Sequence, residues 1–118
     1  MTHPWKDLLV WQKAHQLVLE VYKKTCSFPD KERFGLSQQV RRSAASVAAN
    51  IVEGKSRKTD KEFASFLYNS RGSLEETRYH LLLAKDLEYL NELEYQSIEN
   101  QAIEVSFLLN KLIGRLTN

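Results

Sequence analysis

Apolar residues recur at intervals of three and four along nearly the whole chain, and no stretch alternates with the period of two that marks a strand. Val10, Ala14, Leu17 and Val21 form a first stripe, widened by Trp11, Val18 and Tyr22, with Asp7 as the expected N-cap and Thr25 near the end. The segment SFPDKERFG then interrupts the helix, because Pro29 disfavours the helical conformation at Phe28 and Gly35 breaks any turn begun at Asp30. A second helix is predicted from Ser37 as N-cap through Gln38, Val40, Ala44, Val47 and Ile51 to Glu53, with Gly54 as a left-handed C-terminal cap. Its alanines, Ala44, Ala45, Ala48 and Ala49, suit the close approach of a neighbouring helix. After a short basic loop, Thr59 and Glu62 have the spacing of a capping box.

The third stripe runs through Phe63, Phe66, Leu67, Ser70, Leu74, Thr77, Leu81 and Ala84 to about Leu87, a helix roughly 42 Å long counted from Asp60. Glu88 to Asn91 form the last turn, and Asn91 caps a fourth helix with Tyr95, Ile98, Ala102, Val105, Leu109, Leu112 and Leu116 in heptad-like rhythm. Four amphipathic helices with short connections predict an all-α antiparallel up-down-up-down four-helix bundle, a single domain over residues 1–118. A chain of 118 residues buries enough surface to fold without disulfides or a metal.

Charge adds a polarity that hydropathy does not show. The totals nearly cancel, 17 Lys and Arg against 15 Asp and Glu. Up to Lys61, however, there are 12 basic and 6 acidic residues, and beyond it 5 basic and 9 acidic. The single Cys26 cannot close an intrachain disulfide, no apolar run reaches the roughly 18 residues of a membrane span, and the N-terminus lacks signal-peptide features. A cytoplasmic protein away from membranes is expected.

Catalytic and metal chemistry find no support in the pattern. A di-iron bundle needs Glu-x-x-His pairs on two helices, whereas the nearest arrangement is Glu76 with His80, read as a surface pair. His3 and His15 have no second ligand at zinc spacing, and there is no Gly-rich phosphate loop or Gly-x-Ser-x-Gly motif. No enzyme, no cofactor and no metal is the expectation.

Two features stand apart from the core pattern. Arg41, Arg42, Lys55, Arg57, Lys58 and Lys61 place six cations on the second helix and its following loop, suited to gripping phosphates or to pairing with the acidic second half. Asn50, Glu53, Gly72 and Ser73 put polar or small groups within apolar periods. Gly72 inside a helix costs about 1 kcal/mol relative to Ala, which close helix packing with Asn50 bonded across the gap explains more simply than a ligand site.

The motifs VWQKA, QVRRSA, NIVEG and RGSLEE, in the segments 7–25, 34–54 and 62–77, carry a resemblance over nearly the whole chain. They resemble the family of proteins encoded in intervening sequences of bacterial 23S rRNA genes, also called the S23 ribosomal protein family. The resemblance implies an antiparallel four-helix bundle, assembly into a homopentameric ring, and no established enzymatic activity. Relatives, the accessory variability proteins of diversity-generating retroelements, bind a reverse transcriptase and nucleic acid. Arg41, Arg42, Asn50, Glu53, Gly54, Arg57, Gly72 and Glu75 match family positions. The chain departs from the pattern at Ala48, where many members carry proline, and at Glu88, where the last turn usually has glycine. The expected function is nucleic-acid binding by an oligomer through Arg41, Arg42 and the 55–61 surface, with or without a protein partner. The alternative is a scaffold in which the same cations pair with Glu88, Glu92, Glu94 or Glu99 of a neighbouring subunit.

Overall fold

The computed structural model describes residues 3–118 and contains four helices: α1 (Leu9–Thr25), α2 (Leu36–Lys55), α3 (Asp60–Asp86) and α4 (Glu92–Thr117). A single 3-10 turn, Asp30–Glu32, lies between α1 and α2. Each helix packs on its two neighbours in the cycle α1–α2–α3–α4–α1, with no diagonal contact among the described residues. Cross-helix bonds give the directions. Along α2 and α3, Ser43 meets Thr77, Ser46 meets Ser73 and Val47 meets Ser70. Along α3 and α4, Arg71 bonds Asn110 and Arg78 bonds Glu99. Along α1 and α4, Lys13 pairs with Glu104 and Lys24 with Glu94. In every case one number rises as the other falls, so neighbouring helices are antiparallel and the bundle is up-down-up-down.

The expected stripes form the core: Val10, Ala14, Leu17 and Val21 face Val40, Val47, Ile51, Leu67, Leu74, Leu81, Ile98, Val105 and Leu109, all buried. Phe66, Tyr95, Leu112 and Leu116 lie half-buried at the edges of these stripes. No helix among the described residues is long and apolar enough to cross a membrane.

Three local expectations are corrected. The N-cap of α1 is Leu8, with no side-chain cap, so Asp7 lies outside the helix. The second helix begins at Leu36, with Gly35 as N-cap, and Ser37 is a buried residue of its first turn. Glu32 performs the capping instead: its Oε1 accepts from the Leu36 amide at 3.1 Å, while its Oε2 accepts from the Tyr89 hydroxyl at 2.8 Å. Gly54 is helical, because α2 continues to Lys55. A Cβ there would stand 2.8 Å from Phe63 Cδ1 and 2.8 Å from Phe66 Cβ; the residue permits close approach of α3 and is not a left-handed cap. The α3–α4 turn lies where expected, with Glu88 at φ 66°, the left-handed conformation that glycine adopts without strain.

The other two caps form. Thr59 Oγ1 accepts from the Glu62 amide at 3.1 Å, although Glu62 returns its bond to the Thr59 hydroxyl and not to the amide. Asn91 and Glu94 make the complete reciprocal box at the start of α4.

Candidate functional site

The six predicted cations separate into two groups. An α-helix rises 1.5 Å per residue, so Arg42 and Lys55, 13 residues apart on α2, are about 20 Å apart along its axis. Arg41 and Arg42 lie near the start of α2; Lys55, Arg57, Lys58 and Lys61 lie at its end and around the α2–α3 connection. Neither group is neutralised by a carboxylate among the described residues. Among the described residues the ion pairs are made by Lys13, Lys24, Arg78 and Lys85, and none of the six cations has a carboxylate within salt-bridge distance.

Aromatic rings position several of these charges. The Arg41 guanidinium lies 5.0 Å from the Tyr22 ring centroid, and its Nε donates to Thr25 Oγ1 at 2.7 Å, which fixes it at the end of α1. Arg57 lies 4.6 Å over Phe66, and Lys55 5.8 Å over Phe63. A cation over an aromatic face keeps its charge available to an incoming anion, unlike one held by a carboxylate. Arg42, Lys58 and Lys61 are exposed.

The acidic half is largely engaged already. Glu92 pairs with Lys85 at 3.5 Å, Glu94 pairs with Lys24 and caps Asn91, and Glu99 accepts from Arg78 Nε at 2.7 Å and from the Tyr95 hydroxyl at 2.8 Å. Burial, and then the bond to Glu99, pushes the Tyr95 hydroxyl up to about 12. The Glu32 carboxyl is held below its ordinary range by the Tyr89 hydroxyl and the Leu36 amide that donate to it.

The polar positions expected at a helix contact are distributed differently from their expected pairing. Ser73 does reach α2, through a 3.0 Å bond to Ser46. Asn50 Nδ2 bonds the Ser46 carbonyl and hydroxyl of its own helix at 2.9 and 3.1 Å, and so reaches α3 only through Ser46. Glu53 is exposed. Gly72 faces outward, with nothing within 4 Å of a Cβ placed there. The close approach comes from Gly54, and the buried polar seam from Ser43, Ser70 and Thr77: Ser70 Oγ donates to the Val47 carbonyl at 2.7 Å, and Thr77 Oγ1 lies 2.8 Å from Ser43 Oγ. His80, expected on the surface, is buried; its Nε2 meets Glu76 at 3.2 Å and its Nδ1 has no partner among the described residues.

Residues outside the predicted set complete the surface near Arg41 and Arg42. Phe34 is 81% exposed, with the Arg33 guanidinium 5.5 Å from its ring. A cleft of about 430 Å³ lies beside it, lined by Gln38, Gln39, Arg42, Ser43, Ser46, Ser73 and Glu76. The signal in the sequence is an aromatic residue inside the polar interruption, outside any helical stripe, next to a basic residue.

The sequence profile described as 23S rRNA-intervening sequence protein matches residues 6–111. A similar solved structure is that of a protein with unknown function from the S23 ribosomal protein family of Bacteroides thetaiotaomicron. It is 29% identical, with a TM-score of 0.80 over 89% of this chain and 98% of that one. No curated protein matches the sequence.

Proposed function

From the premise that the chain belongs to the 23S rRNA-intervening sequence protein family, we propose that it is a non-enzymatic, cytoplasmic homo-oligomer that binds RNA or DNA through its basic surface. The observation that carries this reading is that Arg41, Arg42, Lys55, Arg57, Lys58 and Lys61 have no carboxylate within salt-bridge distance among the described residues. Phosphates of a nucleic acid supply the missing counter-charge, and their neutralisation releases condensed cations to bulk solvent.

Of the acids that the alternative scaffold would pair with these cations, Glu92, Glu94 and Glu99 already hold partners that they would have to leave, and Glu88 is exposed with no ion pair among the described residues. Self-association is better supported by apolar groups left in water: Leu93 and Phe107 on α4 are 82% and 65% exposed, and Ile103 lies on the same helix. The family resemblance makes five copies the expected number.

Binding to a labelled oligonucleotide, followed by fluorescence anisotropy over a salt series, tests the reading. Affinity should fall as salt rises, and the slope should shrink by about one for each phosphate contact removed when Arg57 and Lys58 become Ala. Absence of binding at low salt overturns it. Light scattering measures the assembly, and dissociation by Arg57→Glu without loss of nucleic-acid affinity turns the conclusion toward the scaffold.

A further inference from the structure

The geometry points to the cleft beside Phe34 as a site for one unpaired base of a single-stranded nucleic acid, with guanine preferred. This rests on the nucleic-acid reading above and assigns that reading a specific contact. Two clefts, of about 430 and 450 Å³, lie against the same three residues, Phe34, Gln38 and Arg42. Both have the size of small-ligand sites. The second is completed by Tyr22, Arg33 and Arg41, so it is rimmed by three guanidinium groups and a second exposed aromatic. The first is completed by Gln39, three serines and the carboxylate of Glu76.

The chemistry of the two differs accordingly. Three guanidinium groups with no carboxylate among the residues that line the cleft suit phosphate. In the first cleft the Glu76 carboxylate repels phosphate and, as an acceptor only, favours a group that donates. Its Oε2 meets His80 at 3.2 Å, and its Oε1 has no bond among the described residues. Gln38 and Gln39 bring exposed amides to the lining, each able to read both a donor and an acceptor of a base edge. An aromatic ring 81% exposed at the shared rim is the stacking surface that single-strand binding uses. Among the four bases, guanine carries two neighbouring N–H donors on its pairing edge, and those match a carboxylate. That edge is free only when the strand is unpaired.

Anisotropy titrations with a ten-nucleotide oligouridine, and with the same strand carrying one central guanosine, test the assignment on the full-length protein. The guanosine strand should bind about tenfold tighter, the discrimination of one good bidentate contact. Phe34→Ala should weaken both strands by about tenfold through loss of stacking, and Glu76→Gln should abolish the roughly tenfold preference for the guanosine strand, bringing the two affinities together. Equal wild-type affinities for the two strands, or Phe34→Ala binding as tightly as wild type, overturns the cleft while the basic surface stands. No binding of either strand at low salt removes the basic-surface reading as well. Light scattering on Phe34→Ala separates a further outcome: a changed subunit number assigns the ring to a protomer contact and overturns the site.

Discussion

Two glycines on opposite sides of the same helix pair should respond to alanine with opposite signs. At Gly54 the added methyl would lie 2.8 Å from Phe63 Cδ1 and from Phe66 Cβ, about 0.7 Å inside the roughly 3.5 Å at which carbon atoms rest. Neither neighbour can yield cheaply. Phe66 Cβ is tied to the α3 backbone, and Phe63 is only 7% exposed with its ring packed in the core. Relief therefore requires α2 and α3 to separate, against the Ser46–Ser73 and Ser70–Val47 bonds that join them. Overpacking of this kind costs about 1–3 kcal/mol. The gain from replacing glycine in a helix is about 1 kcal/mol at most, and smaller one residue from the end of α2. Gly54→Ala should thus lose about 1–2 kcal/mol. Gly72→Ala meets nothing within 4 Å and keeps the propensity gain alone, about 1 kcal/mol of added stability. Urea unfolding followed by circular dichroism, at one fixed protomer concentration because assembly shifts apparent stability, measures both. The corresponding Tm changes are about 4 °C per kcal/mol for a chain of this size. A Gly54→Ala variant as stable as wild type would refute the close-approach argument. A destabilised Gly72→Ala variant would show that the outer side of α3 is covered in solution.

Glu88→Gly should raise stability by about 1 kcal/mol, since a non-glycine residue pays that order of energy at positive φ; an unchanged or lower urea midpoint contradicts the strain. The pH profile of the melting temperature should carry two separate signatures. Because the folded Glu32 carboxyl titrates below its ordinary 4.5, its contribution is complete above that pH and is lost as pH falls through the lower folded value, and Glu32→Gln should remove this acid loss. Tyr95 titrates near 12 in the fold against 10.0 ordinarily, so its contribution is complete below pH 10 and disappears between 10 and 12; Tyr95→Phe should flatten that alkaline limb.

Helix existence was legible because burial obeys one rule along the chain: Val10, Ala14, Leu17 and Val21 follow the helical period and all four are buried. Contacts between distant segments were not. The start of α2 is decided by Glu32, four residues upstream of the amide it caps, and no local cap pattern includes a carboxylate presented from a separate turn. Gly54, followed by Lys-Ser-Arg-Lys, reads as a C-cap until Phe63 and Phe66 fold back upon it. At Glu88 the resemblance marked the residue, since it implies a glycine there, and φ 66° is a conformation that glycine adopts without strain. The cations were identified but their grouping was not, since neighbours in a list become separated by helical rise. Arg33 and Phe34 escaped notice because a stripe-based reading discards residues between stripes, although Phe34 is exposed for want of any apolar surface to meet.

The two bonds of Glu32 have a consequence for the surface around that ring. One carboxylate fastens the 3-10 turn to the start of α2 and to Tyr89 beyond α3, and Phe28 packs its ring 5.4 Å from the same tyrosine. The backbone on both sides of Phe34 is therefore held before any partner arrives. A molecule that settles there meets a preorganised platform and forfeits little loop entropy on association, so its affinity is set by the contacts it makes and not by the ordering of the segment that makes them.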